Sequence, residues 1–97
     1  MAQGDGLMQP LVVTTSHYFV FFGYGEPSDG PTIRLERARI CVSWPETSHG
    51  LTGLAQKGPL KGSRIGPAAP AVTLRDVTLV LEATDAAAHA WEAEPWN

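Results

Sequence analysis

Residues 17–24 read HYFVFFGY. Aromatic and β-branched side chains dominate this run, which is the composition of a strand. A strand sends alternate side chains to opposite faces. Tyr18, Val20 and Phe22 therefore share one face, while Phe19, Phe21 and Gly23 share the other. Both faces are apolar, so the run reads as a strand covered on both sides or set in an oligomer interface.

The neighbouring segments extend this β pattern. Upstream, LVVTT (residues 11–15) has strand composition, and the small, polar, glycine-rich residues 1–10 read as a loose arm. Downstream, GEPSDGP (residues 25–31) holds the turn-forming residue types and argues for a hairpin connection. TIRLERARICVSW (residues 32–44) alternates at Ile33 and Leu35, then again at Ile40 and Val42. That pattern predicts two short strands, Thr32–Leu35 and Arg39–Ser43, joined or kinked near Arg37–Ala38. A short helix follows Pro45, with Thr47 or Ser48 as its cap and Gly58 as its stop. AVTLRDVTLVLEAT (residues 71–84) returns to strand character, with a change of parity at Arg75–Asp76 that predicts a turn or bulge. Thr84 then caps an alanine-rich helix over Asp85–Glu92, before Pro95.

The expected fold class is α+β, a small, strongly curved antiparallel sheet or barrel with a short mid-chain helix and a C-terminal helix. A parallel sheet would need crossover helices for which there is no room. The expected organisation is an arm over residues 1–10 and a single β-rich domain over residues 11–97.

Composition narrows the chemistry. Cys41 is the only cysteine, which rules out an internal disulfide and argues against a cysteine-built metal site. In RICVSW it reads as a small core residue, although His17 or His49 could in principle assist it as a nucleophile. His17, His49 and His89 lack metal-ligand spacing, and no carboxylate pair marks itself as a general acid and base. No catalytic residue, cofactor or metal is therefore expected, and the protein reads as a non-enzyme. The longest apolar run, Tyr18–Phe22, is too short to span a bilayer, and the start of the chain has no signal-peptide pattern.

Charge is segregated along the chain. The net charge is −3, yet all seven basic residues lie between Arg34 and Arg75, opposed there only by Glu36 and Glu46. Acidic ends flank this basic middle. One reading is mutual neutralisation of packed segments; the sharper one is a local anion site.

Two features suit such a site. Tyr24 or Trp44, at strand ends, can wall a pocket for a planar ligand, with Arg37 and Arg39 as cationic partners. The stretch QKGPLKGSRIGPAAP (residues 56–70) adds Lys57, Lys61, Ser63 and Arg64 among glycines whose N–H groups can cradle an anion. It does not match the P-loop pattern, and a strand follows it instead of a helix. The overall acidity and the absence of a recognition helix argue against extended nucleic acid.

FFGYG…ARICVSW, GLTGLAQKGPLKGSRIGPAAPAVTL and VTLVLEATDAAAHAWEAEPW together resemble a family of small phage and prophage proteins, grouped as a domain of unknown function about ninety residues long. The resemblance covers about residues 11–96. It implies a phage origin and location in the host cytoplasm or the virion, and brings no established activity or catalytic residue. In that setting the expected function is a homo-oligomer that binds, and as an anti-defence sponge sequesters, a nucleotide-like anion through Arg37, Arg39, Trp44, Lys57, Lys61, Ser63 and Arg64. The rival expectation is a structural or protein-interaction module that meets a host or phage protein.

Overall fold

A computed structural model describes residues 8–16, 19–27, 30–44, 50–60 and 62–94 of the chain. The strands are β1 (Gln9–Thr15), β2 (Val20–Gly25), β3 (Ile33–Ser43), β4 (Arg64–Ile65), β5 (Ala69–Leu74) and β6 (Val77–Glu82). Helix α1 (Gly50–Lys57) lies between β3 and β4, and α2 (Asp85–Ala93) follows β6. All strand pairs are antiparallel. The path through the sheet is β4-β3-β2-β1-β6, and β5 pairs with the other half of β3.

Residues 32–43 correct the expected pair of short strands. β3 runs unbroken from Ile33 to Ser43. The kink is real and takes the form of a bulge. Phe22 pairs with Arg39 and Tyr24 with Glu36, so β3 carries one extra residue between those pairs. Arg37 absorbs it with φ of 51°, in the left-handed region. The bulge also flips the parity of the strand. Ile33, Leu35 and Ala38 face one apolar cluster, whereas Cys41 faces the other. Ile40 and Val42 still share a face beyond the bulge, and Val42 is 59% exposed.

One face of β2 is fully covered and the other only in part, against the cover on both sides that HYFVFFGY predicts: Val20 and Phe22 are buried, Phe21 is half-buried and Phe19 is 52% exposed. Val12, Val20, Phe22 and Cys41 pack against Leu54, Ala87 and Trp91 of the two helices. Trp91 stacks on Phe22 at 5.1 Å between centroids and 6° between planes, and its indole N–H donates to the Leu54 carbonyl at 3.1 Å. A buried tryptophan with its polar atom satisfied is a strong anchor for α2. On the opposite face, Leu11, Val13, Ile33, Leu35 and Leu74 form a second cluster.

Among the described residues no helix covers that second cluster; curvature does. Four strand spacings of about 4.8 Å would hold β5 and β6 roughly 19 Å apart in a flat sheet. Only Arg75 and Asp76 join Leu74 to Val77, a link that spans at most about 11 Å. The sheet must therefore curl until its two outer strands meet at this corner. Asp76 makes the turn with φ of 57°, at the position where parity changes in the sequence. β5 and β6 do not pair with one another, so the sheet stays open and the barrel alternative is not realised.

The helix ends follow their local chemistry. Gly58 stops α1 with φ of 81° and donates its N–H to the Leu54 carbonyl at 3.0 Å. Thr84 accepts from the Ala87 N–H at 3.0 Å as the cap of α2. Its hydroxyl also donates to the Gln56 carbonyl at 2.6 Å, tying the end of α1 to the start of α2. The predicted caps Thr47 and Ser48 lie outside the described residues. Among the described residues, no helix is long and apolar enough to cross a membrane.

Candidate functional site

The β3 bulge, the turn after β4 and the last turn of α2 enclose a cavity of about 330 Å³, lined by Arg37, Arg39, Pro67, Ala68, Glu92 and Glu94. Two of the sequence-predicted arginines meet here with two residues of the glycine–proline stretch. The two arginines have different roles.

Arg39 is buried, and its guanidinium is a structural hub. Nε donates to the Gly66 carbonyl at 2.7 Å. Nη1 donates to the Trp91 carbonyl at 2.7 Å and to the Glu94 carbonyl at 2.6 Å. One side chain thus ties the sheet, the glycine–proline stretch and the C-terminal end of α2. Cations are favoured at a helix C-terminus, where backbone carbonyls lack partners. Burial lowers its pKa from the ordinary guanidinium value, while the Glu94 carboxylate acts against that shift.

Arg37 is exposed. Its guanidinium carbon lies 4.1 Å from the centroid of the Tyr24 ring, within cation–π range. Nη1 sits 3.4 Å from Glu92 Oε2, and the Tyr24 hydroxyl donates to the same carboxylate oxygen. The Tyr24 hydroxyl is pushed up to about 12 by burial first, then by the hydrogen bond and charge of Glu92, with Arg37 acting against them. Tyr24 in turn packs edge-on against Phe22, at 5.3 Å and 80°. Arg37 and Glu92 line the cavity, while Tyr24 lies beneath the Arg37 guanidinium and does not line it.

The remaining predicted residues lie elsewhere. Trp44 is half-buried against the helix-side cluster. Lys57 ends α1, where its charge complements the helix dipole. Arg64 is exposed on β4, opposite Ser43. Ser63 is buried, and among the described residues its hydroxyl meets no partner. None of these four lines the cavity that holds Arg37 and Arg39. Lys61 lies outside the described residues, as do His17 and His49.

Sequence reasoning missed Glu92, Glu94, Pro67 and Ala68. Glu92 follows Trp91 directly on a capped helix, and the helix-packing tryptophan was the available signal for its placement. A second hollow, about 390 Å³, lies between the end of β2 and the start of β3. It holds Glu26 and Glu36, and its cation Arg34 lies 3.1 Å from Glu36, so it offers little to an anion. Burial pushes the Cys41 thiol up to about 11, with a hydrogen bond to the Ser43 backbone acting against it. The thiol is therefore protonated at neutral pH and is a poor nucleophile. Among the described residues, no group of three or more metal-ligating side chains converges.

Fold and cavity define a small α+β protein: an open, curled antiparallel sheet backed by two helices, with an arginine-bearing cleft at the strand bulge. The chain belongs to the family described as Domain of unknown function (DUF6948), whose model matches residues 8–91. No curated protein and no solved structure matches it.

Proposed function

We propose that this protein is a non-catalytic binding module for a small, nucleotide-like anion, taken up in the cleft of Arg37, Arg39, Pro67 and Ala68. The observation that carries this reading is Arg37 itself. The bulge requires a left-handed residue, a position that glycine fills without strain and an L side chain occupies at a cost of about 1–2 kcal/mol. The chain nevertheless places an arginine there, with its guanidinium exposed at the cavity mouth. Strained positions of this kind cluster at ligand sites.

The local ion pair does not block such a role. Exposed pairs like Arg37–Glu92 contribute roughly 0–1 kcal/mol. A phosphate, with more charge and three acceptor oxygens, competes well for the guanidinium. The Pro67–Ala68 wall and the plane of the Arg37 guanidinium then offer surface to the planar part of the ligand. The resemblance to phage proteins supplies a context, in which a phage-encoded homo-oligomer in the host cytoplasm sequesters a nucleotide signal. Lys57 and Arg64, which do not line the cleft, would add longer-range attraction.

A thermal-shift panel of cyclic oligonucleotides and ADP-ribose derivatives tests the reading, with wild type and Arg37→Gly run side by side. A member that raises the wild-type Tm and leaves Arg37→Gly unmoved supports it. No shift across the panel, or equal shifts in both proteins, refutes it.

A further inference from the structure

The cleft that presents Arg37 is not a purely basic site. Two arginines and two glutamates line it, so their formal charges sum to zero. The two cations are also unequal. Arg39 is buried, and three of its N–H groups already donate to the Gly66, Trp91 and Glu94 carbonyls. Arg37 is the lining cation whose guanidinium is exposed to an incoming anion. A bare inorganic anion therefore meets repulsion from the two carboxylates as well as attraction from Arg37.

The carboxylates set what must stand beside the anion. An ionised carboxylate accepts hydrogen bonds and donates none, so ligand surface against it has to carry O–H or N–H donors. Glu92 is already engaged, because its Oε2 accepts from the Tyr24 hydroxyl and pairs with Arg37. Glu94 differs. It caps the C-terminal end of α2, where its main-chain carbonyl is held by Arg39. Its half-buried side chain lines the cleft, and its charge acts on the Arg39 guanidinium. Among the described residues no cation closes an ion pair with it.

We propose that this cleft selects a ribose phosphate with a free vicinal diol, its phosphate held by Arg37 and its diol by the Glu94 carboxylate. The proposal rests on the cleft taking an anion through Arg37, and adds the class of ligand. In a nucleotide the ribose lies between phosphate and base. A phosphate on Arg37 and a base on the Pro67–Ala68 wall therefore bring the hydroxyl edge of the sugar to the unengaged acid of the lining. Vicinal hydroxyls can donate together to one carboxylate, and an acid on a ribose hydroxyl is a recurring contact in dinucleotide sites. The cavity of about 330 Å³ is at the small end of ligand sites, which run from roughly 300 to 1,000 Å³. It suits one sugar phosphate better than an oligonucleotide.

Calorimetric titration of the full chain with ADP and with 2′-deoxy-ADP, which differ in a single hydroxyl, tests it. Wild type is expected to bind ADP at least about tenfold more tightly, since a site that hydrogen-bonds a hydroxyl rejects the analogue lacking it. Glu94→Gln should bind the two about equally. It should also bind 2′-deoxy-ADP more tightly than wild type does, because a carboxylate that repels the phosphates is gone. Its main-chain carbonyl still accepts from Arg39, so an unchanged Tm is expected. Equal wild-type affinity for the two nucleotides, lost in Arg37→Gly, overturns the diol selection and leaves the anion reading standing. A preference for ADP that survives in Glu94→Gln overturns the role of Glu94. Binding of neither nucleotide, or binding that Arg37→Gly leaves intact, overturns both the anion reading and the proposal.

Discussion

Replacing Arg37 with glycine separates a ligand group from a structural staple. The side chain contributes a cation–π contact over Tyr24 and an exposed ion pair with Glu92. At exposed sites these are worth about 0.5–1 kcal/mol and about 0–1 kcal/mol. Glycine relieves a left-handed backbone that costs an L residue about 1–2 kcal/mol, although it also loosens the unfolded chain. The contributions nearly cancel. Arg37→Gly is therefore expected to change unfolding stability by no more than about 1 kcal/mol, or roughly 4–8 °C in Tm for a domain of this size. Urea unfolding followed by tryptophan fluorescence and circular dichroism measures this, with an unchanged m-value confirming that the two variants unfold alike. A loss above about 2 kcal/mol would refute the reasoning. It would mean that Arg37 is held in a strained conformation to clamp α2 through Glu92, leaving no surplus for a ligand.

Three further predictions follow from the same contacts. Arg39→Met should destabilise by about 3 kcal/mol or more in urea unfolding, because the Gly66, Trp91 and Glu94 carbonyls lose their charged donor together. Gly58→Ala should cost about 2–4 kcal/mol in the same assay, since its Cβ would lie 2.7 Å from Ala90 Cβ and 2.8 Å from the Ala87 carbonyl at a φ of 81°. At alkaline pH, Tyr24 rises from 10.0 to about 12 on folding and Cys41 from 9.0 to about 11. Between those values the folded state holds protons that the unfolded state has released. Their contribution to stability is therefore complete below about pH 9 and is lost as pH rises through 11 and 12. Tyr24 is only partly buried, so solvent screening cuts its share to about 1 kcal/mol. Tyr24→Phe should flatten the upper part of the stability–pH curve, and tyrosinate absorbance checks the titration directly.

Much of the fold is legible in local chemistry. HYFVFFGY declares a central strand, although its second face is covered only in part, and the caps at Gly58 and Thr84 place the helix ends. The parity change at Arg75–Asp76 coincides with the corner that makes the sheet curl. Two things are hidden for physical reasons. A bulge and a strand break disturb alternation in the same way, so residues 32–43 read as two strands when the pairing of β2 makes them one. Proline and glycine mask strand character in QKGPLKGSRIGPAAP, where β4 and the first residues of β5 form because β3 offers an unpaired edge. Pro70 is accommodated because an edge strand leaves one side of its backbone unpaired.

The candidate site shows the same division. Arg37 and Arg39 stand out as cations beside aromatic strand ends, and they share the cleft. Their different roles come from long-range packing: α2 folds back to bring carbonyls to Arg39 and Glu92 to Arg37. No spacing in the sequence encodes those partners. Conversely, the basic residues of the glycine–proline stretch look like one cluster in the sequence. The fold disperses the described ones, with Lys57 at a helix end, Arg64 on a strand and Ser63 inside.

Amide chemical-shift mapping of the isotope-labelled full chain during titration with ADP-ribose tests the central claim most directly. The account predicts saturable shifts concentrated at Arg37, Arg39, Ala68, Glu92 and Glu94, and their disappearance in Arg37→Gly. Shifts that gather instead around Lys57 and Arg64, or an unchanged spectrum at saturating ADP-ribose, would contradict it.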